Sequence, residues 1–276
     1  MSKKVKNNLI ILDGVKYLEY DCFSEYKEDM LAIFSTRQGG VSTGVYGSMN
    51  LGFNSEDDYD TVFENFKIFC STIGIYYKDL VFSCQKHNDN IKRVYEYDKG
   101  KGIVKSTDYD DVDGLITNVP QTVLVTFHAD CTPIYYYDKK NKAIGLAHSG
   151  WRGTSKEIAV KMLNKMKENF NSDPENLITV IGPSICKKCY EVDDDVLDKF
   201  NNMSIDTSKY IKFDRKKHKY MLDIWGINEK LLFCNGVKKE NVFVSGLCTM
   251  ENKDVFFSHR GHNGKRGNMA AMIMLK

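Results

Sequence analysis

Three short apolar strands near the middle of the chain constrain its fold most strongly. Val123–Phe127 and Ala143–Ala147 are continuous stretches rich in apolar and β-branched residues, which is typical of buried strands, and Tyr135–Asp138 lies between them as a third strand. Cys131 and His148 stand just beyond the first and the last of these strands. Because strands hold side chains on a rigid frame, a thiol and an imidazole at strand ends predict a functional pocket.

Strand and helix patterns alternate along the rest of the chain. The pair Asp13–Gly14 predicts a hairpin turn. Strands are predicted at 8–13, 15–20, 31–35, 80–84, 91–95, 177–181, 242–246, 255–258 and 270–275, and helices at 57–73, 155–170 and 223–234, with Cys70, Met162 and Met166 in the core. No repeat or linker interrupts the pattern. We therefore expect one domain over residues 1–276 with an α/β fold, an α+β sandwich of mixed sheets with flanking helices.

Composition and charge exclude several classes of protein. The chain has 276 residues, of which 42% are hydrophobic, so it can build a sizeable core. Its net charge of +2 predicts no nucleic-acid or anionic-membrane partner. The apolar run Leu9–Leu12 after the basic start is too short for a signal peptide or a membrane span. We expect a cytoplasmic protein.

The eight cysteines are irregularly spaced and are expected to be reduced thiols. Cys186 and Cys189 form a single C-x-x-C with no second pair at zinc-ribbon spacing, so a structural role is favoured over redox or zinc chemistry.

Cys131 and His148 allow two chemical interpretations. Cys131 could be a thiolate nucleophile that His148 activates. Alternatively, both could bind a metal with a third ligand, and a Cys/His/His set suits zinc with one open position for water. His87 and His128 are the candidates for that ligand. On an extended strand His128 would face away from Cys131, which favours His87. A buried thiol near an unrelated histidine remains the alternative from spacing alone.

Two arginines lie in glycine-rich loops. Arg37 precedes Gly39 and Gly40, and the absence of a following Gly-Lys-Ser/Thr shows that this loop is not a P-loop. Arg152 lies between Gly150 and Gly153. Such loops can bring a guanidinium close to an anion, although a surface arginine paired with a carboxylate is the simpler alternative.

An ordered set of motifs resembles a known family from about Phe34 to the C-terminus. The motifs are residues 34–42 (FSTRQGGVS), 48–52 (SMNLG), 85–87 (QKH), 129–133 (ADCTP), 148–153 (HSGWRG), 182–185 (GPSI), 189–192 (CYEV) and 246–249 (GLCT). They resemble the purine nucleoside phosphorylase family long labelled multicopper polyphenol oxidase, or laccase-domain, proteins. Its fold was once grouped with putative cysteine hydrolases as YfiH-like.

The resemblance implies a zinc enzyme of purine nucleoside metabolism. Members cleave adenosine, inosine, guanosine and methylthioadenosine with phosphate and also deaminate adenosine, so the implied partners are purine nucleosides and phosphate. The implied zinc ligands are His87, Cys131 and His148. Copper is a less favoured metal, because six histidines in the chain are too few for a multicopper cluster.

Further roles follow from the two reactions. Cys131, His148 and Asp130 are the predicted catalytic residues, and Glu191 is the alternative to Asp130 for moving protons in deamination. Phosphorolysis needs cations to hold phosphate, for which Arg37 and Arg152 are the candidates. The predicted substrate- or phosphate-binding residues, which lie in the matching motifs, are Arg37, Asn50, Gln85 and Arg152.

Three other functions compete with this interpretation. A peptidoglycan-editing amidase would use the same zinc site on a cell-wall precursor. A copper-dependent phenol oxidase is the older label. A nucleotide-binding module without turnover would leave three potential metal ligands without a purpose.

Overall fold

The computed structural model describes residues 3–276, so Met1 and Ser2, the first residues of the segment considered for a signal peptide, lie outside the described residues. The strands are β1 Lys3–Lys4, β2 Asn7–Leu12, β3 Val15–Tyr20, β4 Met30–Ser35, β5 Leu80–Phe82, β6 Ile91–Arg93, β7 Gly114–Thr117, β8 Val123–His128, β9 Thr132–Asp138, β10 Ala143–Ser149, β11 Leu177–Ile181, β12 Glu191–Val192, β13 Ile211–Asp214, β14 Lys219–Leu222, β15 Val242–Val244 and β16 Met269–Leu275. The helices are α1 Tyr59–Thr72, α2 Trp151–Ser155, α3 Ile158–Phe170, α4 Asp194–Phe200 and α5 Ile224–Cys234.

Two large mixed sheets and one small sheet organise these elements. The seven-stranded sheet has the order β1-β15-β11-β9-β10-β7-β6, and the six-stranded sheet has the order β2-β3-β4-β16-β8-β5. In the second sheet, β16 pairs antiparallel with both β4 and β8. A three-stranded sheet, β12-β14-β13, stands apart from them.

The alternation of side chains along β9 shows how the layers stack. Tyr135 and Tyr137 belong to the core cluster that joins the two large sheets, and the Tyr135 hydroxyl donates to the Ile33 carbonyl on β4 at 2.7 Å. Ile134 and Tyr136 point to the other face, where α3 and α5 cover the seven-stranded sheet. Helix α1 covers the outer face of the six-stranded sheet. The predicted α/β fold, with mixed sheets and flanking helices, is confirmed.

Close approach of α3 to the sheet depends on glycines in two neighbouring strands. A Cβ atom on Gly145 would lie 2.7 Å from Met162 Cε, and one on Gly114 would lie 2.8 Å from Met162 Sδ. The predicted methionine stripe of this helix is therefore core, with Met162 and Met166 fully buried.

The sequence patterns located most elements within a few residues. Helix α1 begins after Asp58, whose carboxylate accepts from the Thr61 N–H at 2.9 Å. The predicted helix 155–170 is interrupted at Glu157, so α2 and α3 are separate. The predicted strand 255–258 is wrong. Its buried Phe256 lies in a bend and Phe257 in irregular backbone, and the Phe256 N–H donates to the Asn252 carbonyl within the same segment rather than to another strand.

Among residues 3–276, no helix is both long enough and apolar enough to cross a bilayer.

Candidate metal centre and its pocket

Cys131 and His148 meet because β9 and β10 form an antiparallel hairpin. In the register of this pair, Thr132 lies opposite Ser149 and Pro133 lies opposite His148. Cys131 directly precedes Thr132, so both side chains emerge at the same end of the hairpin. The turn before Cys131 is sharp, with Asp130 at φ +90°. The prediction that strand ends bring the thiol and the imidazole together agrees with this geometry.

His87 reaches the same place from the loop after β5, and the buried carboxylate of Asp113 holds that loop. Asp113 accepts backbone N–H bonds from Lys86, His87 and Asn88 at 3.0, 3.1 and 3.0 Å. These three bonds stabilise His87 at φ +60°, a conformation that is uncommon for a residue other than glycine. Asp113 therefore positions the loop that carries the histidine.

Asp113 also orients His148. The Nδ1 atom of His148 lies 2.8 Å from Asp113 Oδ1, and because a carboxylate only accepts, Nδ1 carries the proton. This leaves Nε2 of His148 as the nitrogen available to a metal. A carboxylate behind a histidine ligand is the usual outer-shell arrangement of metal sites. Sequence reasoning did not identify Asp113 as a site residue.

The ligand atoms of His87, Cys131 and His148 all lie within 4.8 Å of one another. Gly150 keeps the space beside them open, because a Cβ atom there would lie 3.1 Å from Cys131 Sγ and 3.2 Å from His87 Cδ2. Two imidazoles and one thiol at this separation fit a single tetrahedral metal ion with one position left for water or substrate.

His128 is excluded from the cluster, but for a different reason from the one predicted. Strand β8 ends at His128, and the following turn places its ring only 5.3 Å from the ring of His148. Both of its nitrogens are already used, since Nδ1 donates to the Cys131 carbonyl at 3.0 Å and Nε2 bonds with the Thr126 hydroxyl at 2.7 Å. Burial lowers the pKa of His128 well below its usual value, so this ring is a neutral support for the turn.

The electrostatics of the cluster favour a thiolate at Cys131. Burial opposes ionisation of Cys131, but the neighbouring His148 and His87 outweigh it and lower the pKa of the thiol to about 6. Burial likewise opposes a charged His148, while the Cys131 thiolate and Asp113 raise the pKa of that imidazole to about 9. Without a metal, the pair is therefore a thiolate and an imidazolium at neutral pH.

A cavity of about 440 Å³ opens beside these ligands. All three ligands line it, together with the aromatic rings of Phe53, Phe82 and Phe127 and the side chain of Arg266.

Of the predicted binding residues, Gln85 lines this cavity and Asn50 lies behind its wall. The Gln85 amide extends the pairing of β5 with β8, because it accepts from the Phe127 N–H at 2.6 Å and donates to the Phe127 carbonyl at 2.9 Å. Asn50 is fully buried, and its Oδ1 accepts from the N–H groups of Gly52 and Asn268, which both line the cavity.

Arg37 and Arg152 are not among the lining residues. The Arg37 guanidinium donates to the carbonyls of Gly47 and Lys253 at 2.9 and 3.0 Å and packs over the ring of Phe257. Arg152 is exposed and stacks over the ring of Trp151.

The predicted proton-transfer residues are held by other parts of the chain. Asp130 accepts from the Thr249 hydroxyl at 2.6 Å and from the Arg260 N–H at 2.7 Å, so both of its oxygens are engaged. Glu191 forms an ion pair with Lys217. Neither residue lines the cavity.

Arg266 is an arginine of the cavity wall that sequence reasoning missed. Its guanidinium donates to Asn268 Oδ1 at 2.8 Å, and its buried Nε has no hydrogen-bond partner among the described residues. Burial lowers the pKa of Arg266, and the nearby Cys131 and Asp130 partly oppose that shift. Gly264 and Gly267 flank it, so the signal that selected Arg37 and Arg152 was also present here.

Comparison with known proteins agrees with the motif pattern. The family described as multi-copper polyphenol oxidoreductase laccase matches residues 31–276. The chain belongs to this family. The resemblance seen in the ordered motifs is confirmed.

Relatives of the laccase-domain chain support the same placement. Purine nucleoside phosphorylase YlmD of Bacillus subtilis (strain 168) is 33% identical over 254 residues, which cover 92% of this chain and 91% of that protein. A purine nucleoside phosphorylase of Staphylococcus epidermidis is 36% identical over 258 residues, covering 93% and 95%. The crystal structure of Bacillus licheniformis YfiH superposes with a TM-score of 0.89 at 34% identity and covers 94% of this chain and 96% of that one.

Proposed function

We propose that this chain is a zinc-dependent purine nucleoside phosphorylase that also deaminates adenosine. The observation that carries the proposal is the cluster of His87, Cys131 and His148 on the wall of a cavity that also contains an arginine and three phenylalanine rings. The names of the two bacterial relatives support purine nucleoside phosphorolysis. Inosine, guanosine and methylthioadenosine are the further substrates that we propose.

The donor set favours zinc as the metal. His87, Cys131 and His148 would hold the ion, and Asp113 would fix the orientation of His148. When bound, zinc supplies a Lewis acid that activates water or polarises a substrate oxygen at neutral pH.

The family description names copper, but the ligands favour a single metal ion. A multicopper cluster needs many histidines, and the chain has six. Within residues 3–276, His87 and His148 share one group of three donors, whereas both nitrogens of His128 are bonded to the protein.

The cavity suits a purine nucleoside in size and in chemistry. Its volume of about 440 Å³ lies within the roughly 300–1,000 Å³ that is common for small-molecule sites. Phe53, Phe82 and Phe127 supply apolar surfaces against which a flat base can stack. The Lys86 and Gln85 end of the cavity is polar and suits the ribose hydroxyls.

Phosphorolysis needs a cation beside the ribose. A phosphate oxygen bonds to the anomeric carbon as the bond from that carbon to the base breaks, which gives ribose 1-phosphate and the free base. We propose Arg266 as the principal phosphate ligand, because its side chain lines the cavity and its buried Nε–H has no hydrogen-bond partner within residues 3–276. Arg152 remains a second candidate. Arg37 is the third, because two backbone carbonyls and a ring already engage its guanidinium.

Asp130 acts on the site through its backbone position rather than by transferring a proton. Its two oxygens accept bonds from Thr249 and Arg260, and its left-handed conformation forms the turn that presents Cys131.

The test is to incubate zinc-loaded protein with adenosine, with and without phosphate, and to separate the products by chromatography. We expect adenine and ribose 1-phosphate only when phosphate is present, and inosine in both cases. Cys131→Ala should form none of these products, whereas Cys234→Ala, at an exposed cysteine, should match the wild type. Equal release of base with and without phosphate would mean that the protein is a hydrolase, and the phosphorylase proposal would fail.

A further inference from the structure

A second group of three cysteines lies outside the cavity. The sulfur atoms of Cys186, Cys189 and Cys248 are all within 4.8 Å of one another. Cys186 and Cys189 lie in the turn between β11 and β12. Cys248 lies after β15, and an isolated β-bridge pairs it with Ser184. The third cysteine that the C-x-x-C appeared to lack in the sequence is therefore supplied by a segment about sixty residues away.

The backbone of the turn brings the three sulfur atoms to one side. The N–H groups of Cys189 and Tyr190 both donate to the Cys186 carbonyl at 3.0 Å. The Cys186 N–H donates to Cys248 Sγ at 3.3 Å. Hydrogen bonds from the backbone to a thiolate sulfur are a common outer-shell feature of metal–thiolate sites.

Burial alone does not explain why these cysteines meet. Cys248 is buried, but Cys186 and Cys189 are only half-buried. A disulfide would use two of the three sulfur atoms and leave the third unpaired. A zinc ion bound to all three thiolates at about 2.3 Å would need sulfur atoms roughly 3.8 Å apart in tetrahedral geometry. All three sulfur atoms lie within 4.8 Å of one another, so a contraction of at most about 1 Å would bring them to that spacing.

The charge around the cluster also fits a metal–thiolate site. Three thiolates and one divalent zinc ion carry a net negative charge. Lys187 and Lys188 lie between the two cysteines of the turn. These ammonium groups would offset the charge of the bound site.

We propose that Cys186, Cys189 and Cys248 bind a second zinc ion, with solvent as the fourth ligand, and that this ion is structural. Each thiol loses its proton when it binds the metal. The inference does not depend on the proposed reaction, because these residues do not line the cavity.

The second ion would stabilise the turn that carries the first site. Ile185, next to Cys186, donates its N–H to the Asp130 carbonyl at 3.0 Å. Thr249, next to Cys248, donates its hydroxyl to the Asp130 carboxylate at 2.6 Å and its N–H to the Ser184 carbonyl at 3.1 Å. A metal that joins the two segments would therefore hold Asp130 from both sides.

The first test counts zinc in protein that is loaded under reducing conditions and then desalted. We expect about two ions per chain in the wild type and in the control Cys234→Ser, and about one in Cys131→Ala and in Cys189→Ser. Cobalt replaced into Cys131→Ala should give a strong thiolate-to-cobalt charge-transfer band that the double variant Cys131→Ala/Cys189→Ser lacks. If zinc-loaded Cys131→Ala held no zinc, the inference would be overturned, whatever the activity of the wild type.

A second test needs no substitution in the cluster. Zinc added to chelator-treated wild type should slow alkylation of Cys186, Cys189 and Cys248, read by peptide mass spectrometry, and leave exposed Cys234 unaffected. Equal alkylation of the three with and without zinc would contradict the inference. So would a freshly prepared protein in which a cluster peptide pair is lighter by two hydrogens, because that mass identifies a disulfide.

Discussion

The two clusters of metal-ligating side chains differ in the type of their ligand atoms and in their position relative to the cavity. In both, three ligand atoms lie within 4.8 Å of one another. The cluster of His87, Cys131 and His148 borders a cavity of about 440 Å³, whereas the three cysteines do not line it. One set mixes nitrogen with sulfur, and the other is sulfur alone. Mixed ligands beside a substrate-sized cavity are typical of a catalytic metal, and an all-thiolate set away from that cavity is more typical of a structural one.

The two clusters also differ in the pKa of their cysteines, as Cys131 and Cys189 show. Imidazoles lower the pKa of Cys131 to about 6 although burial opposes the shift. In the other cluster burial, followed by the nearby Cys248 and Cys186, raises the pKa of Cys189 to about 12. Cys131 is thus a thiolate before a metal binds, while Cys189 keeps its proton until a metal displaces it. At Cys131 the neighbouring imidazoles outweigh burial, whereas at Cys189 burial is the larger cause.

The largest difference between the two clusters is expected when one ligand is removed from each. Cys131→Ser should lower phosphorolysis and deamination by more than about 100-fold, because a catalytic metal loses its only sulfur ligand. Cys189→Ser should keep most of the activity well below the melting transition. Its melting temperature should fall by about 4–8 °C, if the second ion contributes about 2 kcal/mol.

Activity assays and thermal melting of Cys131→Ser and Cys189→Ser test whether one cluster is catalytic and the other structural. If both variants lost activity equally and melted alike, the division into a catalytic and a structural cluster would be wrong.

A smaller effect is expected when the support of the first cluster is changed and its ligands are kept. Asp113→Asn removes the carboxylate that orients His148 and holds the His87 loop, so zinc affinity should fall by about 10–100-fold. Asp111→Asn is the matched control. Asp111 is two residues away and accepts from Asn88 and Asn90 but does not contact a ligand.

Competition with a chromogenic chelator measures both affinities, and the thiol protection of Cys186 and Cys189 should be the same in both variants. An equal loss of zinc affinity in Asp111→Asn would show that the loop, rather than the Asp113 carboxylate, controls the site.

The smallest effect is expected when an arginine near the first cluster is replaced, and it distinguishes Arg266 inside the cavity from Arg152 outside it. Arg266→Lys keeps the charge but removes the planar donor pair that phosphate accepts, so phosphorolysis should fall about tenfold while deamination changes little. Arg152→Lys should lower phosphorolysis less, because Arg152 is outside the cavity.

Rates of ribose 1-phosphate and inosine formation, measured separately at several phosphate concentrations, test this. A larger loss of phosphorolysis in Arg152→Lys would place the phosphate on the Arg152 side of Cys131 instead.

Local patterns predicted the parts of the site that lie next to each other in the chain. The apolar runs located β8 and β10, and with them Cys131 and His148 at one end of a hairpin. The hairpin turn predicted at Asp13–Gly14 joins β2 and β3, with Leu12 paired to Val15. Such features depend on a few neighbouring residues, so the sequence contains enough information to find them.

Contacts between distant segments could not be predicted in this way. Nothing in the sequence around Asp113 marks it as a site residue, because its four bonds to His148 and the His87 loop form only when β7 lies beside β10 and β6. Cys248 joins Cys186 and Cys189 only after β15 has paired with β11. Residues 255–258 show the converse, because buried phenylalanines resemble a strand even where the backbone turns.

The central position of β16 has a consequence for how the molecule is made. During synthesis β4 and β8 leave the ribosome well before β16, which must later insert between them and pair with both. Until then, each presents an unpaired edge that can join a similar edge on another nascent chain. Arg266 and Asn268 directly precede β16, so the cavity wall is completed by the same insertion. A chain interrupted before residue 269 would therefore be inactive and also prone to aggregation.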